Sequence, residues 1–232
     1  MSSLAFIPAR IGSKSIPKKN LHKLGGKPLI KWCMQAALDS NVDEIVCSTD
    51  SEEIASEAEG MGIPVVVRPE GMRDGETYPI HEIVIEYLNE RNDDPDTVVL
   101  IQPTSPFVTS EQINLAITRL DPSMHSRWAS FQTISDIPHN FHAWNQRSFN
   151  AETGQVQFCF PDLRKTGFNK AHKPTLCKFG NLVATKTADL RTEGFFALPS
   201  KGHYIPWTEA LDIDNLVDFT LAESLLKAGM IV

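Results

Sequence analysis

Four short runs in the first half of the chain are almost wholly apolar: Leu4-Ala5-Phe6-Ile7-Pro8, Ile45-Val46-Cys47, Val65-Val66-Val67 and Val98-Val99-Leu100-Ile101. A strand with one face in water alternates apolar and polar residues, so runs without alternation predict strands buried on both faces. Stretches of helical period separate them. One opens at Pro28-Leu29-Ile30 and continues through Trp32, Ala36, Ala37 and Leu38, with proline at a tolerated first-turn position. A second covers residues 51–59 and stops at Gly60 and Gly62, and a third covers 79–91. Thr109 and Gln112 stand at capping-box spacing before a fourth helix that reaches Leu120. Strand and helix in alternation predict an α/β fold with a mostly parallel sheet covered by helices on both faces.

The rhythm breaks near Ser135. From about 136 to 205 the chain carries short mixed stretches rich in His, Asn, Pro and aromatic residues, without a helical period. This predicts a small β-rich insertion that caps a site or supplies a dimer contact. The α/β pattern resumes at Leu211-Asp212-Ile213-Asp214, expected as a strand, and at a helix through Val217, Phe219, Leu221, Leu225 and Leu226. Neither an internal repeat nor a low-complexity tract interrupts the single domain expected over 1–232.

Composition narrows the function classes. The 232 residues include 22 Lys and Arg against 29 Asp and Glu, a formal charge of −7. That balance lacks the overall basic footprint of a nucleic-acid wrapper or a coat for an anionic membrane. No segment approaches the roughly 20 apolar residues needed to span a bilayer, and Met1-Ser2-Ser3-Leu4 does not open a signal peptide. Cys33, Cys47, Cys159 and Cys177 are widely spaced with no C-x-x-C pair, which reads as free thiols of a cytoplasmic protein.

The densest chemistry follows the first strand, in Ile7-Pro8-Ala9-Arg10-Ile11-Gly12-Ser13-Lys14-Ser15-Ile16-Pro17-Lys18-Lys19-Asn20. Ligands of open α/β sheets bind at the C-terminal ends of the strands. Gly12 and Ser13 let the backbone approach an anion, and Arg10 and Lys19 bring charge for polyphosphate oxygens. A solvated basic loop is the competing reading. The P-loop pattern is absent, because Gly25-Gly26-Lys27 lacks the earlier glycine and the final Ser or Thr. At the other end of the chain, Asp212 and Asp214 are two apart, so on a strand they point to one side and suit Mg²⁺ shared with phosphate oxygens. The competing reading makes Asp214 the cap of the last helix. His139 and His142 flank Phe141 near Trp144 and read as a satisfied loop cluster sooner than a metal site. H-E-x-x-H, G-x-S-x-G and G-x-G-x-x-G are all missing, which leaves hydrolytic and dehydrogenase chemistry without a basis.

These residues resemble the CMP-sialic acid synthetase family and its CMP-nonulosonate and CMP-Kdo relatives. The basic loop is similar to that family's P-A-R-x-G-S-K-x-[IL]-P-x-K-N signature. Further matches follow in order: Leu24-Gly25-Gly26-Lys27-Pro28-Leu29-Ile30, Ser48-Thr49-Asp50, Arg68-Pro69-Glu70, Ile101-Gln102-Pro103-Thr104-Ser105-Pro106, Phe195-Phe196, and Leu211-Asp212-Ile213-Asp214 with Asp218-Phe219. The resemblance implies a doubly wound, Rossmann-like nucleotidyltransferase sheet with a dimerisation insertion and a homodimeric assembly. It implies CTP held by Arg10, Ser13, Lys19, Asn20, Arg68 and Gln102. Asp212 and Asp214 would hold Mg²⁺; Gln102, Asn181, Phe195 and Phe196 would meet an acidic sugar, the two aromatics with core packing as the alternative. Lys19 and Arg10, with Asp212 and Asp214, would carry the catalysis, and Lys19 is read as an exposed-loop lysine whose loss costs activity far more than stability.

Departures from the family pattern concern the acceptor. Val108 stands where the family commonly has Arg, Asn140 and Asn169 fall where basic or polar anchors are expected, and Val183 replaces a Tyr. Two accounts stay open: Lys165, Lys170, Lys173 or His172 supplies a displaced carboxylate anchor for a nonulosonic acid, or the acceptor is another sugar acid or a phosphonate. A nucleotide-binding homologue without turnover is a third class.

Overall fold

The computed structural model describes residues 1–13, 15–68, 78–167 and 169–231. Lys14 of the basic loop and Pro69-Glu70 of the R-P-E match lie outside them. The chain divides into two units, Met1–Ile134 with Phe179–Val232, and Ser135–Lys178.

In the larger unit the order begins β1 (Ser3–Ala9), β2 (Lys23–Leu24), β3 (Lys27–Pro28), α1 (Ile30–Leu38), β4 (Glu44–Thr49), α2 (Glu52–Glu59) and β5 (Val65–Val67). It continues through α3 (Ile80–Asn89), β6 (Thr97–Ile101), α4 (Ser110–Leu120) and β7 (Ser130–Asp136). After the smaller unit, with β8 (Arg147–Phe149), β9 (Val156–Phe158) and α5 (Pro161–Thr166), come β10 (Cys177–Lys186), α6 (Thr187–Glu193), β11 (Ser200–Tyr204) and α7 (Leu216–Lys227).

Seven strands form one sheet in the order β5-β4-β1-β6-β10-β7-β11. β1 pairs in parallel with both β4 and β6, and β4 with β5, whereas β10 runs antiparallel to β6. The absence of alternation in β1 and β6 has the expected cause, since each feeds two cores, whereas Val65–Val67 is an edge strand, half-buried with Val67 exposed. Ala5, Ile7 and Ala9 of β1 join Val99 and Ile101 of β6 under α1, α2 and α4. Leu4 and Phe6 join Val98 and Leu100 on the other face, with Ile83, Val84 and Leu88 of α3. The predicted capping box of α4 is present: the Thr109 side chain accepts from the Gln112 backbone, and the Gln112 side chain accepts from the Thr109 backbone.

Three local expectations change. Pro28 does not open a helix; it pairs with Lys23 in the β2-β3 hairpin, and α1 begins at Ile30. The turn of that hairpin is Gly25-Gly26, both at positive φ (58° and 90°), a conformation that suits glycine. Leu211-Asp212-Ile213-Asp214 is an extended segment outside the sheet, although its burial alternates as a strand's would. The irregular stretch 136–205 is also not one insertion. Only Ser135–Lys178 separates, and its β content is the two-stranded β8-β9 hairpin; β10 and β11 belong to the main sheet.

β10 lies against β7 at Gly180, where a methyl group would sit 2.5 Å from Thr133 Oγ1 and 2.9 Å from its carbonyl carbon. Backbone cannot yield there without separating strands. Gly180→Ala is therefore expected to lower unfolding free energy by about 1–3 kcal/mol, as a reduced urea midpoint with an unchanged m-value. A midpoint equal to the parent's would refute the close approach.

Candidate active site

The basic loop leaves β1 at Arg10 and is pinned from two sides. The Ile11 amide donates to Asp50 Oδ1 (2.9 Å), just beyond β4, and Asn20 Nδ2 donates to the Arg10 carbonyl (2.9 Å). Asn20 occupies a single 3-10 turn, Lys19–Leu21, entered through Lys18 in the left-handed region. Ile16 is buried, anchoring the loop's middle in a third hydrophobic cluster with Leu24, Leu29, Phe107, Leu211, Ile213 and Phe219.

Around this loop lies a cavity of about 280 Å³. Arg10, Ser13, Lys19, Asn20, Arg68 and Gln102, the whole set expected to hold a nucleotide, line it. The position follows from topology. The chain leaves β1 for β4 and β5 on one side, then crosses to β6 on the other, and the crevice at this reversal is where α/β sheets bind ligands. Gly12 also lines the cavity, and a methyl group there would meet nothing within 4 Å. Tyr78, Ile80, Ile83 and Thr104 line it too. The sequence reading missed these four: the apolar residues opening α3 follow the same helical period as core positions, and Ile83 does pack in the core.

Two buried polar atoms on cavity residues have no hydrogen-bond partner among the described residues, Asn20 Oδ1 and Arg68 Nε. Buried polar groups are costly without partners, so both suit a ligand with donors and acceptors. Burial lowers the Arg68 pKa from its usual value; the Asp50 charge opposes that shift, and the Arg10 charge adds to it. The loop thus gathers like charges around a hollow, with Asp50 as the local counterweight.

The carboxylates arrive from the far end of the chain. Leu211 and Ile213 are buried while Asp212 and Asp214 are exposed, so both carboxylates lie on the outer side of the segment. The Ile213 amide donates to the Thr104 carbonyl (2.8 Å), and Lys19 Nζ donates to the Ile213 carbonyl (2.7 Å) and stands 3.7 Å from Asp214 Oδ1. Ser15 Oγ donates to the Asp214 carbonyl. Asn215, not Asp214, caps α7: its side chain accepts from the Val217 and Asp218 amides, and the Asp218 carboxylate accepts from the Asp214 and Asn215 amides. The Asp214 carboxylate is therefore released from the capping role. Among the described residues no group of three or more His, Cys, Asp or Glu gathers for a metal. The two carboxylates sit on a segment tied to the cavity residues Lys19 and Thr104, and such a pair suits Mg²⁺, which takes one or two protein carboxylates and completes its shell with other oxygens and water.

Lys19 departs from expectation in one respect. Its side chain is only 13% exposed, so it is a structural tie as well as a charge. The residues expected to meet the sugar separate from the cavity, Gln102 excepted. Phe195 is packed in the core with Val183 and Leu190. Phe196 is exposed and meets Phe179 edge-on at 5.7 Å. Asn181 is fully buried and hydrogen-bonded at both ends of its amide. Val108 and Val183 are core residues, and Asn140 and Asn169 are exposed in the smaller unit. His142 is a satisfied loop residue, since Nδ1 accepts from the Trp144 amide and Nε2 faces the Pro174 carbonyl, which makes Nε2 the protonated nitrogen.

Two substitutions separate the roles of this loop. Gly12→Ala is expected to leave the unfolding free energy within about 0.5 kcal/mol of the parent while weakening CTP binding at least about tenfold, measured by calorimetry. Lys19→Ala is expected to lose CTP affinity and also about 1.5–3 kcal/mol of stability, because its ammonium bonds a carbonyl across the fold. Retained CTP affinity in Gly12→Ala would place the phosphates elsewhere.

Comparison with known proteins agrees with this geometry. The profile of the cytidylyltransferase family matches residues 4–147. The CMP-N,N'-diacetyllegionaminic acid synthase of Legionella pneumophila is 32% identical over 98% of this chain and 97% of its own length. The pseudaminic acid cytidylyltransferase of Campylobacter jejuni is 29% identical over 99% of this chain and 98% of its own. The N-acylneuraminate cytidylyltransferase of Escherichia coli is 28% identical over 94% of this chain, which spans 51% of that longer protein. Among solved structures, CMP:2-keto-3-deoxy-manno-octonic acid synthetase complexed with CTP superposes with a TM-score of 0.72 over 99% of this chain and 100% of that one, at 16% identity, which speaks to the fold. With a profile over more than half of its length and a full-length relative above 30% identity, this chain belongs to the cytidylyltransferase family.

Proposed function

We propose that the protein transfers CMP from CTP to a nonulosonic acid and releases pyrophosphate. The observation that carries this reading is the convergence of all six expected nucleotide residues in one cavity at the β1-β6 reversal, one of which, Lys19, is bonded to the segment that carries Asp212 and Asp214. The acceptor class rests on relatives of nearly identical length named for legionaminic and pseudaminic acids. In the reaction a sugar hydroxyl oxygen bonds to the α-phosphorus, the bond from that phosphorus to the bridging oxygen breaks, and the hydroxyl proton departs. Such a transfer asks the protein for alignment and charge compensation more than for covalent participation.

The chain's own residues divide that work. Gly12 and Ser13 give the phosphates room, and Arg10 and Lys19 offset charge that builds on the departing pyrophosphate. Asn20 and Arg68 bring buried polar atoms that a nucleotide can satisfy. Asp212 and Asp214 are the residues we assign to Mg²⁺, which when bound supplies charge neutralisation on the phosphate oxygens.

We also assign a homodimer, supported by exposed apolar residues in the smaller unit: Phe141, Phe149, Val156, Phe160 and Leu163. The cytoplasm is the compartment we assign, in keeping with exposed free thiols at Cys159 and Cys177. Among the described residues no helix is long and apolar enough to cross a membrane.

Pyrophosphate release from CTP with Mg²⁺, measured against legionaminic, pseudaminic and N-acetylneuraminic acids, 2-keto-3-deoxy-manno-octonic acid and a phosphonate, tests the acceptor. A nonulosonic acid is expected to give the highest kcat/KM; a phosphonate or the octonic acid ranking first overturns the assignment. Sedimentation is expected to give twice the 25.8 kDa chain mass, and Phe149→Asp with Leu163→Asp to shift it toward the monomer. A parent that sediments at the monomer mass refutes the dimer.

A further inference from the structure

The Gly180-Asn181 pair is absorbed by a different task from the sugar contact expected of it. Thr133 Oγ1 accepts from two backbone amides, Asn181 N (2.8 Å) and Leu182 N (3.0 Å). With both lone pairs engaged, its hydroxyl donates to Asn181 Oδ1 at 2.9 Å, the Leu182 carbonyl at 3.4 Å being the longer alternative. That fixes which end of the amide is which. Asn181 Nδ2 therefore points at the Glu209 carbonyl, 3.0 Å away. Gly180 is the residue that admits Thr133 this closely, since any side chain there collides with it.

Glu209 is held a second time. Its Oε2 accepts from Gln112 Nε2 at 2.6 Å, and the other end of the Gln112 amide accepts from the Thr109 backbone in the α4 capping box. The orientation of Gln112 is thus also set by its partners. Glu209 stands at the end of a turn closed on the Pro206 carbonyl (3.1 Å), three residues before Asp212. Downstream, the Ile213 amide is tied to Thr104, at the cavity wall. The carboxylate segment is suspended between these two anchors, and Asn181 and Gln112 make the first of them.

We propose that Asn181, with Gln112, is a positioning residue that sets the place of Asp212 and Asp214 through Glu209, and not a contact for the sugar. The inference rests on the reading of those two aspartates as metal ligands. A side-chain amide 0% exposed cannot reach a ligand without breaking this network, and loss of one bond from it displaces the segment instead of emptying a subsite.

The test uses the full-length protein with CTP and no acceptor, Mn²⁺ binding followed by electron paramagnetic resonance, and steady-state kinetics alongside. Asp212→Asn is the reference. Asn181→Asp removes the Nδ2 donor, and Glu209→Ala removes the Gln112 partner; each is expected to weaken Mn²⁺ binding about tenfold, the size of one lost hydrogen bond to a buried acceptor. The metal concentration for half-maximal rate should rise with it while the acceptor KM stays at the parent value. Glu209→Gln keeps an acceptor for Gln112 and is expected to restore binding, which a loss of bulk stability alone would not distinguish. Should Asn181→Asp fail to fold, the Glu209→Ala and Glu209→Gln comparison decides. If Asp212→Asn leaves Mn²⁺ binding unchanged, the metal reading itself is wrong. If Asp212→Asn weakens it while Asn181→Asp and Glu209→Ala do not, or if the acceptor KM of Asn181→Asp rises at constant metal affinity, the positioning role is overturned.

Discussion

The site depends on a crossing between segments almost two hundred residues apart in the chain. Lys19, on the loop after the first strand, gives its ammonium to the carbonyl of Ile213 and lies beside the Asp214 carboxylate. The bond alone is modest, since hydrogen bonds to charged groups contribute about 1.5–3 kcal/mol. What makes it durable is the apolar cluster beneath. Ile16 from the basic loop and Leu211 and Ile213 from the carboxylate segment are buried together with Phe107, Leu24, Leu29 and α7 residues. Neither loop buries its own apolar residues by itself, so the hydrophobic effect forces the basic and acidic segments to meet. The charged residues between those anchors are then presented outward.

The same rule of alternation explains what was legible in the sequence. Runs such as Leu4-Ala5-Phe6-Ile7 and Val98-Val99-Leu100-Ile101 read as central strands because both of their faces are covered, and the two cores divide each run residue by residue. β10 was hidden for a physical reason. It is as buried as β6 over much of its length but carries Asn181 and Thr185, whose polar groups are satisfied by Thr133, Glu209 and Phe195. A polar residue with a buried partner looks in sequence like a polar residue in water. The apolar run is broken on paper while the strand is continuous, and the irregular stretch seemed longer than the unit that separates.

Side-chain direction was the second limit. The residues expected to hold a nucleotide were brought together on paper because loop, strand ends and charge coincide, and every one of them lines the cavity. Phe195 and Phe196 show the opposite case: they are neighbours in the turn after α6, yet one is core and the other exposed. A motif gives both without saying which is which. Asp212 and Asp214 escaped this ambiguity because they are two apart and share a side whether or not the segment joins a sheet. Tyr78 and Ile80 carried no signal, since residues at the start of an amphipathic helix look alike whether they meet core or ligand.

Electrostatics then explains how an acidic protein holds a polyanion. With a formal charge of −7 the chain has no long-range field to attract one. It relies on local frustration instead. Burial costs Arg68 hydration, the nearby Arg10 charge adds to that, and Asp50 is the carboxylate that opposes both while holding the Ile11 amide. Folding can tolerate this because the cores contribute far more than the loop costs. Under the proposed function the Asp212 and Asp214 segment, tied to the cavity residues Lys19 and Thr104, sets the opposite condition, since two carboxylates would repel the phosphates until a cation intervenes. A triphosphate alone would then meet favourable charge from the loop and unfavourable charge from the segment, and one carrying its divalent ion would meet favourable charge from both. On that reading, preference for the metal-bound nucleotide follows from the placement of charge on two segments, and the Lys19 crossing holds the one to the other.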